Sequence, residues 1–162
     1  MTTFFLIIGA IALSLAAVCV FLKPTGGAVA AYFGLWALKK SGYCLVGGNI
    51  LLFWAVAVLI VVGIQAARGG IGRFPARLRC YVGGGAMALA AVGALVATGG
   101  IIVGAVAGAA FGAVACRAVT PRYRHLNRYW PQVLPLAAPV VVAVIMIVLA
   151  VTGVIAGASL KM

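Results

Sequence analysis

Several apolar runs in this chain are long enough to cross a lipid bilayer, and they constrain its fold more than any other feature. A transmembrane helix needs about 20 consecutive, mostly apolar residues. The first such run covers residues 3–22, and an uncharged stretch of 36 residues extends from Tyr81 to Cys116. Of the 162 residues, 67% are hydrophobic, whereas about half is usual in a soluble domain. The sequence therefore predicts an integral membrane protein of the all-α class.

The charged side chains are all basic, and this excludes several classes of function. The chain has 12 Lys and Arg, one His and no Asp or Glu, for a net charge of +12. No side-chain carboxylate is present to act as a general acid or base, to bind Mg²⁺ or Ca²⁺, or to relay protons across a membrane. We therefore expect no enzyme activity, no cofactor and no coupling to H⁺ or Na⁺ gradients. Anionic lipid headgroups or acidic partner subunits are expected to balance the charge.

The order of apolar runs and helix breakers predicts five transmembrane helices in one membrane domain, residues 1–162. We place the helices at 3–22, 45–66, 81–97, 101–117 and 133–158. A straight helix over 81–116 would be roughly 54 Å long, nearly twice the hydrocarbon thickness, so the chain is expected to fold back at 97–100. If this hairpin only dips into the bilayer, the number of spans falls to four. Pro139 is expected to kink the last helix or to delay its start.

Two features near the N-terminus allow more than one interpretation. Ala28-Val29-Ala30 resembles a small-residue cleavage site, but no basic residue precedes the first apolar run, so we expect a retained helix rather than a signal peptide. The segment 28–38 is too short to cross and is followed by Lys39-Lys40, which predicts an interfacial helix at the headgroup level. The alternative is a packed re-entrant or loop helix.

In the five-span arrangement, arginines and lysines separate onto opposite faces of the membrane. The loops 67–80 and 117–132 lie on one face and hold every arginine: Arg68, Arg73, Arg77, Arg79, Arg117, Arg122, Arg124 and Arg128. The lysines lie on the other face: Lys23, Lys39, Lys40 and Lys161. The positive-inside rule then predicts that the arginine loops and the N-terminus face the cytoplasm or an equivalent compartment. A bacterial inner membrane, an organelle membrane and a viral envelope all fit this prediction.

The arginine-rich loops also predict a class of partner. Arginine binds phosphate and carboxylate groups in a bidentate manner, which favours anionic phospholipids or acidic subunits as partners. Nucleic acid is not expected as a partner. The simpler interpretation is that the charges only set the topology. Tyr32, Trp36, Tyr129 and Trp130 are predicted to anchor the chain at the membrane interface. Phosphate chemistry at His125 is the alternative for the last loop, but a carboxylate partner is missing.

Glycine recurs at every fourth position of the second hairpin arm, at Gly100, Gly104, Gly108 and Gly112. Residues four apart stack on one helix face, and small residues let two helix backbones approach closely in lipid. The spacing therefore predicts a glycine zipper. Its partner is either another subunit or the first hairpin arm, which is rich in small residues: Gly83, Gly84, Gly85, Ala88 and Gly93. A pore or membrane-active segment lined by small residues is the alternative.

The four cysteines, Cys19, Cys44, Cys80 and Cys116, are widely spaced. Without a close-spaced pair, and with one His in the chain, they do not predict a metal site. The hairpin brings Cys80 and Cys116 to the same depth, where a disulfide or S-acylation would be compatible with their position. Thiols without a specific role are the simpler interpretation.

These features together predict a non-catalytic integral membrane subunit. Glycine-lined helices would pack it against other membrane subunits or copies of itself, and the arginine loops would contact acidic subunits or anionic phospholipids. The alternative is a small channel or carrier for anions or small neutral solutes, because arginines at the mouths of a pore attract anions. The predicted spans hold few polar residues beyond Asn49 and Gln65, which counts against the alternative.

Overall fold

The computed structural model describes residues 2–42, 44, 46–67, 76–119 and 130–159, and this part of the chain is all-helical. Five of its helices are long and apolar enough to cross a membrane, which confirms the predicted all-α bundle of about five transmembrane helices. The sixth, α2, has 17 residues. In chain order the helices are α1 Thr2–Leu22, α2 Pro24–Lys40, α3 Gly48–Ala67, α4 Ala76–Val96, α5 Thr98–Val119 and α6 Trp130–Ser159.

A one-residue connection at Lys23 turns the chain from α1 into α2. Pro24 occupies the first position of α2, where a missing backbone N–H leaves no hydrogen bond unmade. The far end of α2 is closed by Ser41, whose hydroxyl donates to the Leu38 carbonyl at 2.6 Å. Gly42 follows with φ of 74°, a left-handed conformation that glycine adopts without strain at the end of a helix. Sequence-local signals therefore set both ends of α2.

Helix α2 runs antiparallel along α1 and does not lie across its end. The Phe5 and Trp36 rings are 6.3 Å apart, and nearer the turn Gly27 approaches the backbone of Ala16 and Val20. This position differs from the expected interfacial helix over 28–38 and corresponds to the alternative, a packed helix. The physical reason is that α2 buries a stripe of small and apolar side chains against the bundle, with Ala28, Ala31, Leu35 and Leu38 all at 4% exposure or less.

Helices α4 and α5 form a second antiparallel pair, joined by Ala97. The Ala97 N–H donates to the Gly93 carbonyl at 3.2 Å, and the Gly100 N–H donates to the Ala97 carbonyl at 2.9 Å. The chain therefore reverses at the first residue of the segment 97–100, in which the turn is expected. Thr98, Gly99 and Gly100 already belong to α5.

Helix α6 contacts each of the other five helices and forms the centre of the bundle. Its buried residues include Val140, Ala143, Val144 and Met146. The helix continues from Trp130 through the buried Pro139, so the proline does not delay its start. Helix α3 is at the periphery, where it contacts only α2 and α6 among the described helices.

Because α2 packs along α1, the arginines of α4 lie at a different end of the bundle from the one expected. The Arg79 guanidinium of α4 donates through Nη1 to the carbonyl of Leu22, the last residue of α1. The first turns of α4 therefore lie at the end of α1 that is opposite Thr2, and the expected location of the N-terminus beside the arginine loops is corrected. The cause is that α2 returns the chain to the starting end of α1.

Candidate functional site

The glycine stripe of α5, formed by Gly100, Gly104, Gly108 and Gly112, lies directly against the backbone of α4. A Cβ atom added at Gly104 would be 2.1 Å from the Leu89 carbonyl oxygen, and one added at Gly108 would be 2.1 Å from that of Gly85. At the two ends of the stripe, an added Cβ would be 2.4 Å from the Gly93 carbonyl oxygen at Gly100 and 2.0 Å from the Tyr81 carbonyl oxygen at Gly112. Interior atoms of proteins are close-packed at van der Waals separation, so no side chain fits at these four positions without moving a helix.

A constant register explains the four-residue spacing of the stripe. Each step of four along α5 is matched by a step of four backwards along α4, and the facing pairs are 100 with 93, 104 with 89, 108 with 85 and 112 with 81. Helix α4 supplies glycine at only two of these positions. At the other two, Tyr81 and Leu89 offer their carbonyl oxygens while their side chains are each 36% exposed. Close approach therefore requires glycine at all four positions on α5, whereas on α4 only two of the four facing positions are glycine.

The remaining glycines of α4 do not join this contact. Gly83 faces α1, where an added Cβ would be 3.2 Å from side-chain atoms of Val20 and Phe21. Gly84 has no neighbouring atom within 4 Å of an added Cβ. Of the two partners considered for the stripe, the first hairpin arm of the same chain is therefore the one that lies against it.

A second close helix contact, between α1 and α2, was not identified from the sequence. Gly9 and Gly34 face each other, and a Cβ on either would be 3.2 Å from the carbonyl oxygen of the other. A Cβ added at Gly27 would likewise be 3.0 Å from the backbone nitrogen of Val20. The signal available was the series of small residues Gly27, Ala31 and Gly34 on one face of α2, but the segment was expected to be interfacial.

Three of the predicted arginines lie together at one end of the bundle, which we call the arginine end: Arg77 and Arg79 in the first turn of α4 and Arg117 in the last turn of α5. Lys23 is at the same end, because it follows Leu22, the residue whose carbonyl binds Arg79. The Arg79 Nε is buried and has no hydrogen-bond partner among the described residues. Lys39 and Lys40 lie at the opposite end, at the C-terminus of α2.

Other predicted site residues fall partly or wholly outside the described part of the chain. Arg68, Arg73, Arg122, Arg124, Arg128 and Tyr129 lie outside the described residues, as does the side chain of Trp130. Of the two remaining predicted anchors, Tyr32 is partly buried. Trp36 is 41% exposed and lies near the start of α1, against Phe5.

The four cysteines form no disulfide in the structure. Cys80 is exposed and Cys116 is buried, although both belong to the arginine end. Burial raises the pKa of the Cys44 thiol above its usual value, and a backbone hydrogen bond from Val46 only partly offsets this rise. Across the described residues, no group of three or more His, Cys, Asp or Glu side chains is placed to hold a metal ion.

No protein-family model, curated protein or solved structure matches this chain. The interpretation of its function therefore rests on the chemistry of its own residues. The two features with a defined geometry are the α4–α5 glycine contact, which is mechanical, and the arginine end, which is electrostatic.

Proposed function

We propose that this protein is a non-catalytic integral membrane subunit, whose helix bundle packs against other membrane proteins. The observation that carries the proposal is the separation of polar from apolar groups. Buried polar residues in the described part of the chain are limited to Ser41 and Gln65, while the six described Lys and Arg lie at the two ends of the bundle. An interior of this kind supports a packing role more than a chemical one.

The glycine stripe contributes to this role indirectly. Because α4 already occupies it, the stripe stabilises the subunit's own α4–α5 pair and leaves partner contacts to other surfaces. Helix α3 is a suitable surface, since it contacts only α2 and α6 among the described helices and exposes large apolar side chains along its length. Leu52 and Leu59 on this surface are 68% and 71% exposed. We propose that partner helices pack here within the bilayer.

The test is the mass of the particle that is extracted from native membranes in a mild detergent. Native mass measurement is expected to find the chain together with other membrane proteins. Leu59→Asn on the outer face of α3 is expected to release the chain from these partner proteins, because an unpaired amide at a lipid-buried helix contact is costly. Val103→Asn is the matched control, because Val103 is 69% exposed on α5, a different surface. A monodisperse wild-type chain without other proteins would contradict the proposal.

The channel or carrier alternative receives less support from the same distribution of residues. A path for anions needs polar or cationic groups along its length, and in the described residues the cations are confined to the ends. Anion flux into liposomes that contain only this protein would favour the alternative. No flux at high protein density would leave the subunit proposal as the better account.

A further inference from the structure

The arginine end concentrates positive charge at the boundary of the apolar bundle. Arg77, Arg79 and Arg117 lie there with Lys23, and the whole chain contains no Asp or Glu that could neutralise them. The register of the α4–α5 contact, in which Gly112 faces Tyr81, places Arg117 within about one helical turn of the level of Arg77. The charge of this end must therefore be balanced by a group from outside the chain.

The geometry of Arg79 identifies where such a group would bind. Its Nη1 donates to the carbonyl of Leu22 at the C-terminal end of α1, which is a favourable position for a cation. That bond holds the guanidinium in place. The Nε of the same group is buried but has no acceptor among the described residues. Arg79 as a whole is only partly buried, so its charge remains available to an anion at this end of the bundle.

The backbone of α4 adds to the attraction for an anion. The first turn of a helix carries a partial positive charge, and cations are unfavourable there. The first turn of α4 nevertheless contains two arginines and no acidic residue. An anion at this end therefore interacts favourably with the helix terminus and with the arginine side chains together.

The apolar surface beside these cations favours a lipid over an acidic protein as the source of the anion. Leu22, whose carbonyl binds Arg79, and Val18, one turn earlier on α1, are 62% and 55% exposed. A phospholipid would present phosphate oxygens to the arginines and acyl chains to this surface at the same time. An acidic loop of a partner protein would satisfy only the charges.

We propose that the arginine end binds the phosphate group of an anionic phospholipid, with the partly exposed side chain of Arg79 contacting the phosphate. Arg77, Arg117 and Lys23 supply longer-range attraction. The site deepens the proposed function by assigning a lipid partner to one end of the bundle. It depends only on the chain being a membrane protein and not on the presence of partner subunits.

Lipid binding to the purified full-length protein tests this proposal. The protein in detergent is titrated with phosphatidylglycerol, phosphatidylcholine or inorganic phosphate, and bound lipid is counted by native mass spectrometry. We expect phosphatidylglycerol to bind at least about tenfold more tightly than phosphatidylcholine, because only the former carries net charge. Millimolar inorganic phosphate is not expected to displace it, since free phosphate lacks the acyl chains.

Arg79→Lys separates the specific site from general charge. It keeps the charge but removes the planar guanidinium, and we expect about tenfold weaker phosphatidylglycerol binding. Lys40→Arg is the matched control, because it makes a charge-conserving change at an exposed side chain at the opposite end of the bundle. Binding there is expected to change less than about twofold.

Equal binding of the two lipids, displacement by inorganic phosphate, or equal losses in the two variants would overturn the proposal. If Arg79→Lys does not fold, the comparison of lipids on the wild-type protein decides. A co-purifying acidic protein that binds at the arginine end in place of the lipid would also refute the proposal. A chain that purifies alone and still binds phosphatidylglycerol would instead refute only the subunit proposal.

Discussion

The contact between Gly108 and Gly85 permits a sharp test of the α4–α5 packing through Gly108→Ala. The added Cβ would lie 2.1 Å from the Gly85 carbonyl oxygen, 2.7 Å from its carbonyl carbon and 2.9 Å from the Ala86 Cα. All three neighbours are backbone atoms, so no rotation of a side chain can relieve the overlap. The two helices have to move apart.

The size of that movement follows from the same distances. Ordinary contacts of a Cβ begin at 3.4 Å, so the helices must separate by at least 3.4 − 2.1 = 1.3 Å near Gly108. Insertion of atoms into a closely packed region typically costs about 1–3 kcal/mol. Alanine also has a higher intrinsic helix propensity than glycine, by about 1 kcal/mol, and this gain partly masks the loss.

Gly84→Ala is the matched control, because it makes the same chemical change on α4 at a position with no atom within 4 Å of the new Cβ. The propensity gain then cancels between the two variants. The free energy of unfolding is measured in mixed micelles by titration with sodium dodecyl sulfate, with tryptophan fluorescence as the signal. We expect Gly108→Ala to be less stable than Gly84→Ala by about 1–3 kcal/mol. A difference within about 0.5 kcal/mol would refute the backbone-to-backbone contact.

Three further predictions follow from the structure. Measured in the same titration relative to Gly84→Ala, Gly9→Ala should lose less stability than Gly108→Ala, at most about 1 kcal/mol, because the nearest neighbour of its added Cβ is the flexible Leu38 side chain at 2.7 Å. A loss equal to or larger than that of Gly108→Ala would contradict the looser α1–α2 contact. In oriented vesicles, an impermeant thiol reagent should modify a Thr3→Cys chain and a chain with Cys80 alone from opposite sides; labelling from the same side would refute the hairpin of α1 and α2. In a chain with Cys44 alone, alkylation should require a higher pH than for an ordinary thiol, since burial raises the pKa of this thiol. The stability linked to the thiol should be lost as the pH rises through that raised pKa. An alkylation midpoint at or below about pH 8.5 would contradict this prediction.

Local features of the sequence were enough to predict the helices of this protein. The apolar runs set the class, the absence of Asp and Glu limited the chemistry, and the length of the run 81–116 required a hairpin. The glycine spacing in α5 predicted a face for close contact, because positions four apart stack on an α-helix whatever lies opposite. These inferences need only the period of a helix and the thickness of a bilayer.

The sequence could not show which helices pack together. In a soluble protein, the polar side of a helix marks the face turned to water, but in lipid both sides are apolar and the pattern no longer distinguishes them. Leu35 of α2 is fully buried and Phe33 is 58% exposed, although both are large apolar residues. The tertiary structure therefore decided that α4 occupies the glycine stripe of α5.

The same limitation explains the corrected position of α2. Its length of 17 residues and its terminal lysines are equally compatible with a helix on the membrane surface and with one packed along α1. Small residues on one face, at 27, 31 and 34, settle the choice only when α1 lies opposite them. By returning the chain to its starting end, α2 places Arg79 beside Leu22 and separates the arginine end from the N-terminus. The sequence determined the types of helix and their charges, whereas non-local packing decided where those charges meet.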